Sequence, residues 1–248
     1  MKNIIFLLFF FFTIGIGVSF TSQAQGMEYN ILGGKGLFHY VTKNAKEPYY
    51  SAINLSSRSE AGNYANNPYG NKNGQSFQLA FELKKVTRRK LIWGSFIEYE
   101  SVESKKKINW VFGPSSYDFR EATGNFSLKN NFLVISPYIG YRFQFSKFYC
   151  DVMCGTDISN GISKVHQQGS ATISSSGELV QVNKSSKAES YDLFETRARL
   201  QTEFAYKKVG LYLGYSWGFY KGHLAAFGGT PLYSFSRYFK VGILYRLK

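Results

Sequence analysis

The sequence predicts an all-β chain, an eight-stranded antiparallel up-and-down transmembrane β-barrel. Three observations predict it. Eight segments of about ten residues alternate apolar and polar side chains with a period of two, the periodicity of a strand with two unlike faces. The links between them run long, short, long, short, long, short, moderate, as in a barrel whose two ends face different compartments. The composition is strand-like, with 23 Phe, 19 Tyr and 24 Gly against 5 Pro; aromatic residues favour strands.

Residues 1–24 read as a signal peptide. Lys2 gives a basic start, Ile4 to Phe12 is an unbroken apolar run, and Ser22-Gln23-Ala24 supplies small residues two apart. Cleavage is expected after Ala24, leaving residues 25–248 as one barrel domain. The alternative is an uncleaved anchor; the polar run Thr21–Gln25 favours processing. No cysteine lies near the cleavage site, which argues against a lipoprotein. No second stretch is long and apolar enough for a membrane helix.

The first strand, Met27–Tyr40, is the weakest pattern because it carries Gly33, Gly34 and Gly36. Gln75–Lys85 sets Phe77, Leu79, Phe81 and Leu83 against Gln78, Ala80, Glu82 and Lys84. Leu91–Glu100 sets Leu91, Trp93, Ile97 and Tyr99 against Gly94, Glu98 and Glu100. Phe132–Gln144 sets Leu133, Ile135, Ile139, Tyr141 and Phe143 against Ser136, Gly140, Arg142 and Gln144. Phe148–Ile158 sets Phe148, Cys150, Val152 and Cys154 against Tyr149, Asp151, Gly155 and Asp157. Leu193–Tyr206 sets Phe194, Ala198, Leu200 and Phe204 against Glu195, Arg197, Arg199 and Glu203. Val209–Tyr220 is the cleanest alternation, with Gly210, Gly214 and Gly218 all on the polar face. The closing strand, Phe239–Lys248, sets Phe239, Val241, Ile243, Tyr245 and Leu247 against Lys240, Gly242, Arg246 and Lys248. The links are 41–74, 86–90, 101–131, 145–147, 159–192, 207–208 and 221–233. Short links belong at the periplasmic end of such a barrel, long ones at the outer end.

The apolar face is expected to meet lipid. A soluble ligand-binding barrel would instead turn it inward. The opposite face mixes charges with glycines, which suits a narrow interior. Trp93, Tyr141, Phe143, Phe148, Tyr206, Trp217 and Phe219 fall near strand ends, where aromatic girdles sit. Cys150 and Cys154 lie four apart on the apolar face, about 13 Å along a strand, too far for a disulfide.

The interior face gathers Glu98, Arg142, Asp151, Asp157, Glu195, Arg197, Arg199, Glu203, Lys240 and Arg246. Eight strands leave an interior just filled by side chains, and buried charges need partners. These residues are therefore expected to form a self-neutralising polar plug. A gated ion path is the alternative.

The strand "FLVISPYIGYRF", its short turn into "KFYCDVMCG", the run "VGLYLGYSWGFY" and the ending "FKVGILYRLK" resemble outer-membrane β-barrel families common in Bacteroidetes-type bacteria, including the PorT-like group and other porin-family small barrels. The spacing Lys240-x-Gly242-x-x-Tyr245-x-Leu247 also resembles the C-terminal signal read by the outer-membrane assembly machinery, although Lys248 stands where an aromatic residue is usual. The resemblance implies an integral outer-membrane barrel of the cell envelope. Some PorT-like proteins serve type IX secretion, and no residue here selects that role.

Sites for chemistry are sparse. His39, His166 and His223 are scattered. The segment Asp157-Ile158-Ser159-Asn160 resembles the His-x-Ser-Asn element of outer-membrane lipid A deacylases, but Asp157 replaces the histidine that would activate the serine. Gly33-Gly34-Lys35-Gly36 lacks the spacing of a phosphate loop. No catalytic residue, metal ligand or cofactor is expected.

The formal charge is +14, and the expected signal peptide contributes one lysine and no acid, so the mature chain carries +13. No nucleic-acid-binding motif accompanies this charge. The run Lys105-Lys106-Lys107, followed by Trp110, is a candidate surface contact for lipopolysaccharide phosphates or another ligand. Lys84 to Lys90 could meet phospholipid headgroups at a periplasmic turn. Residues Gln167–Ser176 and Lys184–Ser190 are expected to be mobile loop. The expected function is non-enzymatic, through the outer loops or within a surface or secretion assembly. Expected partners are outer-membrane lipid, lipopolysaccharide and the barrel assembly machinery. A lipid-modifying barrel enzyme and a soluble periplasmic barrel are the alternatives.

Overall fold

In the computed structural model, the described residues are 26–42, 51–56, 62–114, 118–162, 165–186, 194–219, 222–225 and 231–247. The expected signal peptide and Lys248 lie outside them. Thirteen strands are present among these residues: β1 (Met27–Thr42), β2 (Ala52–Asn54), β3 (Tyr64–Ala65), β4 (Lys72–Val86), β5 (Leu91–Phe112), β6 (Phe119–Phe145), β7 (Phe148–Gly161), β8 (Val165–Ile173), β9 (Leu179–Ser186), β10 (Phe194–Tyr206), β11 (Val209–Gly218), β12 (Gly222–Ala225) and β13 (Pro231–Arg246).

Eight of them close a ring. β1, β4, β5, β6, β7, β10, β11 and β13 pair antiparallel with their neighbours, and β13 returns to β1. The closing register runs from Asn30 opposite Arg246 to Thr42 opposite Ser234. Closure leaves no open edge, so every strand of the ring has a partner on both sides. Three tight turns join β4 to β5, β6 to β7 and β10 to β11 at one end. Lys90, Ser146 and Lys207 in those turns adopt positive φ values of 63°, 55° and 53°.

The ring is eight-stranded and up-and-down, as the alternation predicts. Its apolar residues point out: Phe77, Leu79, Trp93, Ile97, Leu133, Ile139, Leu200, Leu211, Val241 and Ile243 are all exposed. This outward face is opposite to that of a soluble ligand-binding barrel. The aromatic residues expected in girdles, from Trp93 to Phe219, are also exposed. Cys150 and Cys154 are free, half-buried and exposed respectively.

The outer end departs from expectation. Residues 101–112 and 119–131 are not loop: they continue β5 and β6 as one long hairpin. β8 pairs with the far half of β6, β9 with β8, and β2 runs parallel to the end of β5. β3 completes a sheet in the order β3-β2-β5-β6-β8-β9. Its two edges approach each other, since Asn63 Nδ2 donates to the Gln181 carbonyl at 3.1 Å. The sheet encloses an apolar core containing Ile53, Ile108, Val111, Phe126, Ile173 and Val182. The segments expected to be mobile are therefore largely strand: Gln167–Ile173 lies in β8 and residues 184–186 in β9, while 187–190 lie outside the described residues. Polar residues there alternate with buried apolar ones, which lets the outer sheet form.

The outward row of β5 and β6 changes character along its length. On β6 the outward row reads Glu121, Thr123, Asn125, Ser127, Lys129 and Asn131, then Leu133, Ile135, Pro137, Ile139, Tyr141 and Phe143. The inward row reads Ala122, Gly124, Phe126, Leu128 and Asn130, then Phe132, Val134, Ser136, Tyr138, Gly140 and Arg142, mixed along its whole length. β5 changes in the same place, from Tyr99 outward to Glu103, Lys105 and Lys107. The pleat keeps its phase through this zone while the environment outside the strand changes from apolar to polar.

Candidate functional site

The barrel interior holds two layers of charge. The layer nearer the tight turns is built on Lys84, which is fully buried. Its ammonium lies 3.2 Å from Glu82 and 3.1 Å from Asp151, and it donates to Glu203. Arg142 grips two carboxylates in forked fashion, Glu28 at 2.6 and 2.8 Å and Asp151 at 2.7 Å through both contacts. Arg246 pairs with Glu28 at 2.9 Å and stacks over the Tyr149 ring. Tyr138 Oη donates to Glu82. Forked guanidinium–carboxylate pairs fix geometry as well as charge.

The second layer sits further out. Lys240 Nζ lies 3.2 Å from Glu98, 2.7 Å from Glu100 and 3.8 Å from Asp157. Arg197 donates to Glu100 at 2.6 Å and to Ser159 at 2.8 Å. Arg199 pairs with Glu98 and lies 3.2 Å from Asp157. Ser136 and Ser216 each donate to Asp157 at 2.7 Å. Three carboxylates thus face three cations, all buried. Removal of one partner from such a layer would leave an uncompensated buried charge.

Strand alternation places these groups together. Even-numbered residues of β4, β5 and β13 and odd-numbered residues of β7 and β10 point inward. Glu98, Arg142, Asp151, Asp157, Arg197, Arg199, Glu203, Lys240 and Arg246 all belong to the two layers. Glu195 lies higher, at the outer mouth, where Tyr40 Oη donates to it at 3.0 Å. Glu28, Glu82, Lys84 and Glu100 were not among the expected interior residues. Each lies on the polar face of its strand, so the alternation that identified the others also marks them.

The outer mouth is capped. Asn67, Pro68, Tyr69 and Gly70 are buried, and the Tyr69 ring meets Tyr40 edge-on at 4.8 Å. Gly70 permits this close approach: a Cβ there would stand 2.3 Å from the Lys105 carbonyl.

The lysine run is divided by the pleat. Lys105 and Lys107 are exposed, but Lys106 points inward, is 4% exposed, and donates to the Asn67 carbonyl at 3.2 Å. The expectation of Lys106 as a surface contact is thus corrected: adjacent residues of a strand face opposite sides. Burial pulls its ammonium pKa down to about 8. Between Ile108 and Trp110 the register shifts, so Val111 rather than Trp110 enters the core. Trp110 is half-buried and packs against Phe119 with ring centroids 6.0 Å apart.

The deacylase-like segment does not assemble a nucleophile. Asp157 belongs to the outer charge layer, and the Ser159 hydroxyl accepts from Arg197. His39 is half-buried on β1 and His166 is exposed on β8; the side chain of His223 lies outside the described residues.

No known protein family and no curated protein matches the chain. Among solved structures it is similar to Ail, the attachment invasion locus protein of Yersinia pestis, crystallised with the heparin analogue sucrose octasulfate (11% identity, TM-score 0.38, 90% of this chain and 100% of that chain). It is also similar to Neisserial surface protein A (8% identity, TM-score 0.38, 89% and 99%). A third similar structure is the outer membrane protease OmpT from Escherichia coli (9% identity, TM-score 0.41, 91% and 99%). At this level of similarity no residue of the chain inherits a role from any of them.

Proposed function

We propose that this chain is an integral outer-membrane β-barrel that conducts nothing and works, without catalysis, as a mount for its outer sheet. One observation carries the reading: the exchange of apolar for polar residues on the outward row of β5 and β6, at the same height on both strands. From Leu133 to Phe145 the apolar row extends about 40 Å along the strand, or about 30 Å along the axis of a barrel tilted by about 40°. That is the thickness of a hydrocarbon core. Below the boundary the strand faces lipid and encloses the charge layers with the apolar residues packed between them; above it the strand faces water and encloses an apolar core.

The interior supports the non-conducting part. Two paired charge layers and a buried segment at the outer mouth leave side chains where an ion path would run. The outer sheet supports the rest. Its polar outward face carries Lys105 and Lys107, and its own core gives it a fixed shape, which suits recognition by a surface or secretion partner or by lipopolysaccharide. The test is outer-membrane fractionation combined with a gel comparing unboiled and boiled samples. The barrel should fractionate with membranes and migrate differently before boiling. A soluble chain with no shift would overturn the membrane reading, and large steady currents in planar bilayers would overturn the plug.

A further inference from the structure

We propose a binding site for one anionic phospholipid of the inner, periplasmic leaflet, at the junction of the β6–β7 and β10–β11 turns. The inference rests on the membrane reading above. Arg142, Lys147, Lys207 and Arg246 line a pocket of about 370 Å³ at the turn end of the barrel. Arg142 and Arg246 are engaged with Glu28, and Arg142 also with Asp151. Lys147 and Lys207 lie in no ion pair among the described residues. The pocket therefore presents two ammonium groups outside any such ion pair, Lys147 and Lys207, the latter 5.3 Å over the Tyr206 ring, beside two held guanidinium groups, together with the amide of Gln144 and the hydroxyl of Ser146. That set fits a phosphodiester.

The pocket continues onto an apolar groove. Phe148 lines both from the outer face of the wall and Tyr149 from the inner face, so the two meet over the rim between the turns. The groove, of about 550 Å³, runs up the outer wall between Phe204, Tyr206, Leu211 and Ile243. Its walls are almost wholly apolar, and Phe148 and Tyr206 pack together at 4.7 Å between ring centroids. A cationic pocket at headgroup level joined to an apolar channel at acyl level has the polarity of one lipid molecule. Charge complementarity selects an anionic headgroup, and the groove selects a chain-bearing ligand over free phosphate.

The backbone supplies a clean variant for the test. Lys207 adopts φ 53°, a conformation that glycine or asparagine enters with less strain. Lys207→Gly should therefore remove a charge and relax the turn at once, so a loss of binding could not be ascribed to a damaged fold.

The experiment uses the full chain purified in zwitterionic detergent and loaded with equimolar phosphatidylglycerol and phosphatidylcholine, read by native mass spectrometry. One phosphatidylglycerol per barrel is expected, with at least about tenfold preference over phosphatidylcholine. The double variant Lys147→Gln/Lys207→Gly should reduce that preference at least about fivefold while keeping the gel shift of the folded barrel. Leu211→Trp, which narrows the groove, should lower occupancy without changing headgroup preference. Glycerol phosphate and inorganic phosphate, offered as competitors, should not displace the lipid. Equal retention of the two lipids, displacement by inorganic phosphate, or a double variant as selective as the parent would overturn the site. Failure of the chain to enter the membrane fraction would instead overturn the membrane reading, so the two failures are distinct.

Discussion

Replacing Lys240 by methionine tests whether the outer charge layer holds the barrel by balance or by packing. Methionine keeps the length and most of the volume of lysine and removes only the charge. Lys240 Nζ lies 3.2 Å from Glu98, 2.7 Å from Glu100 and 3.8 Å from Asp157. At an effective dielectric of about 20, each attraction amounts to roughly 4–6 kcal/mol. Much of this is offset by the desolvation of the ammonium and by repulsion from Arg197 and Arg199. Loss of one partner from a buried ionic cluster typically costs about 3–5 kcal/mol, and that is the expected loss for Lys240→Met. The assay is reversible urea unfolding in lipid vesicles, followed by the fraction migrating as folded barrel in unboiled gels. The double variant Lys240→Met/Glu100→Gln leaves two carboxylates facing two guanidinium groups and should recover at least half of the loss. A single variant within about 1 kcal/mol of the parent would refute the balance argument. So would a double variant weaker than the single by the full cost of a second deletion, which would mean that each group acts alone.

Three further outcomes are expected. Lys106→Met should stabilise the chain by up to about 3 kcal/mol at pH 7, because it removes an ammonium whose pKa burial lowers from 10.5 to about 8. In the parent, stability should rise with pH between about 8 and 10.5, where the unfolded chain holds a proton that the folded chain has lost; in Lys106→Met this rise should vanish, and thermal melts at pH 7 and 10 read both. Gly34→Leu should prevent closure of β1 on β13, because a Cβ there would stand 2.4 Å from the Val241 carbonyl and 2.1 Å from the Tyr212 hydroxyl; a folded gel band of normal intensity would contradict this. Tyr69→Ala should loosen the segment over the outer mouth and speed amide hydrogen exchange at Tyr40, whose N–H donates to the Gly70 carbonyl at 2.8 Å; unchanged exchange there would show that Tyr69 does not hold the cap.

The ring was legible because one row of each strand is apolar almost throughout. Val209–Gly218 alternates without exception, and its neighbours depart from alternation by only a residue or two. The inward charges were legible for the same reason, since Arg197 and Arg199 stand two apart opposite the apolar row. The outer sheet was hard to read because its rule is weaker. On Ser101 to Phe112 the outward row is charged, but the inward row mixes Val102 and Ile108 with Ser104 and Lys106, and the shift between Ile108 and Trp110 breaks the phase. β2 and β3 are too short for any period to show. The buried stretch Asn67–Gly70 has no apolar run; its burial depends on chain that lies far away in sequence. The residues of the proposed lipid site were not legible: the basic run that stands out, Lys84 to Lys90, lies at another turn, and the pocket draws Arg142, Lys147, Lys207 and Arg246 from strands and turns distant in the chain.

The phase that β5 keeps against β6 from Leu91 to Ile108 has a consequence for how errors in assembly are detected. A slip of one residue between these strands would turn Glu98, Glu100 and Arg142 onto the apolar outer wall in the lower half and, in the same movement, turn Ile108, Phe126 and Leu128 out into water in the upper half. Each half thus proofreads the alignment of the other against a different solvent. A long hairpin that crosses two environments is held in register more tightly than either of its parts would be alone.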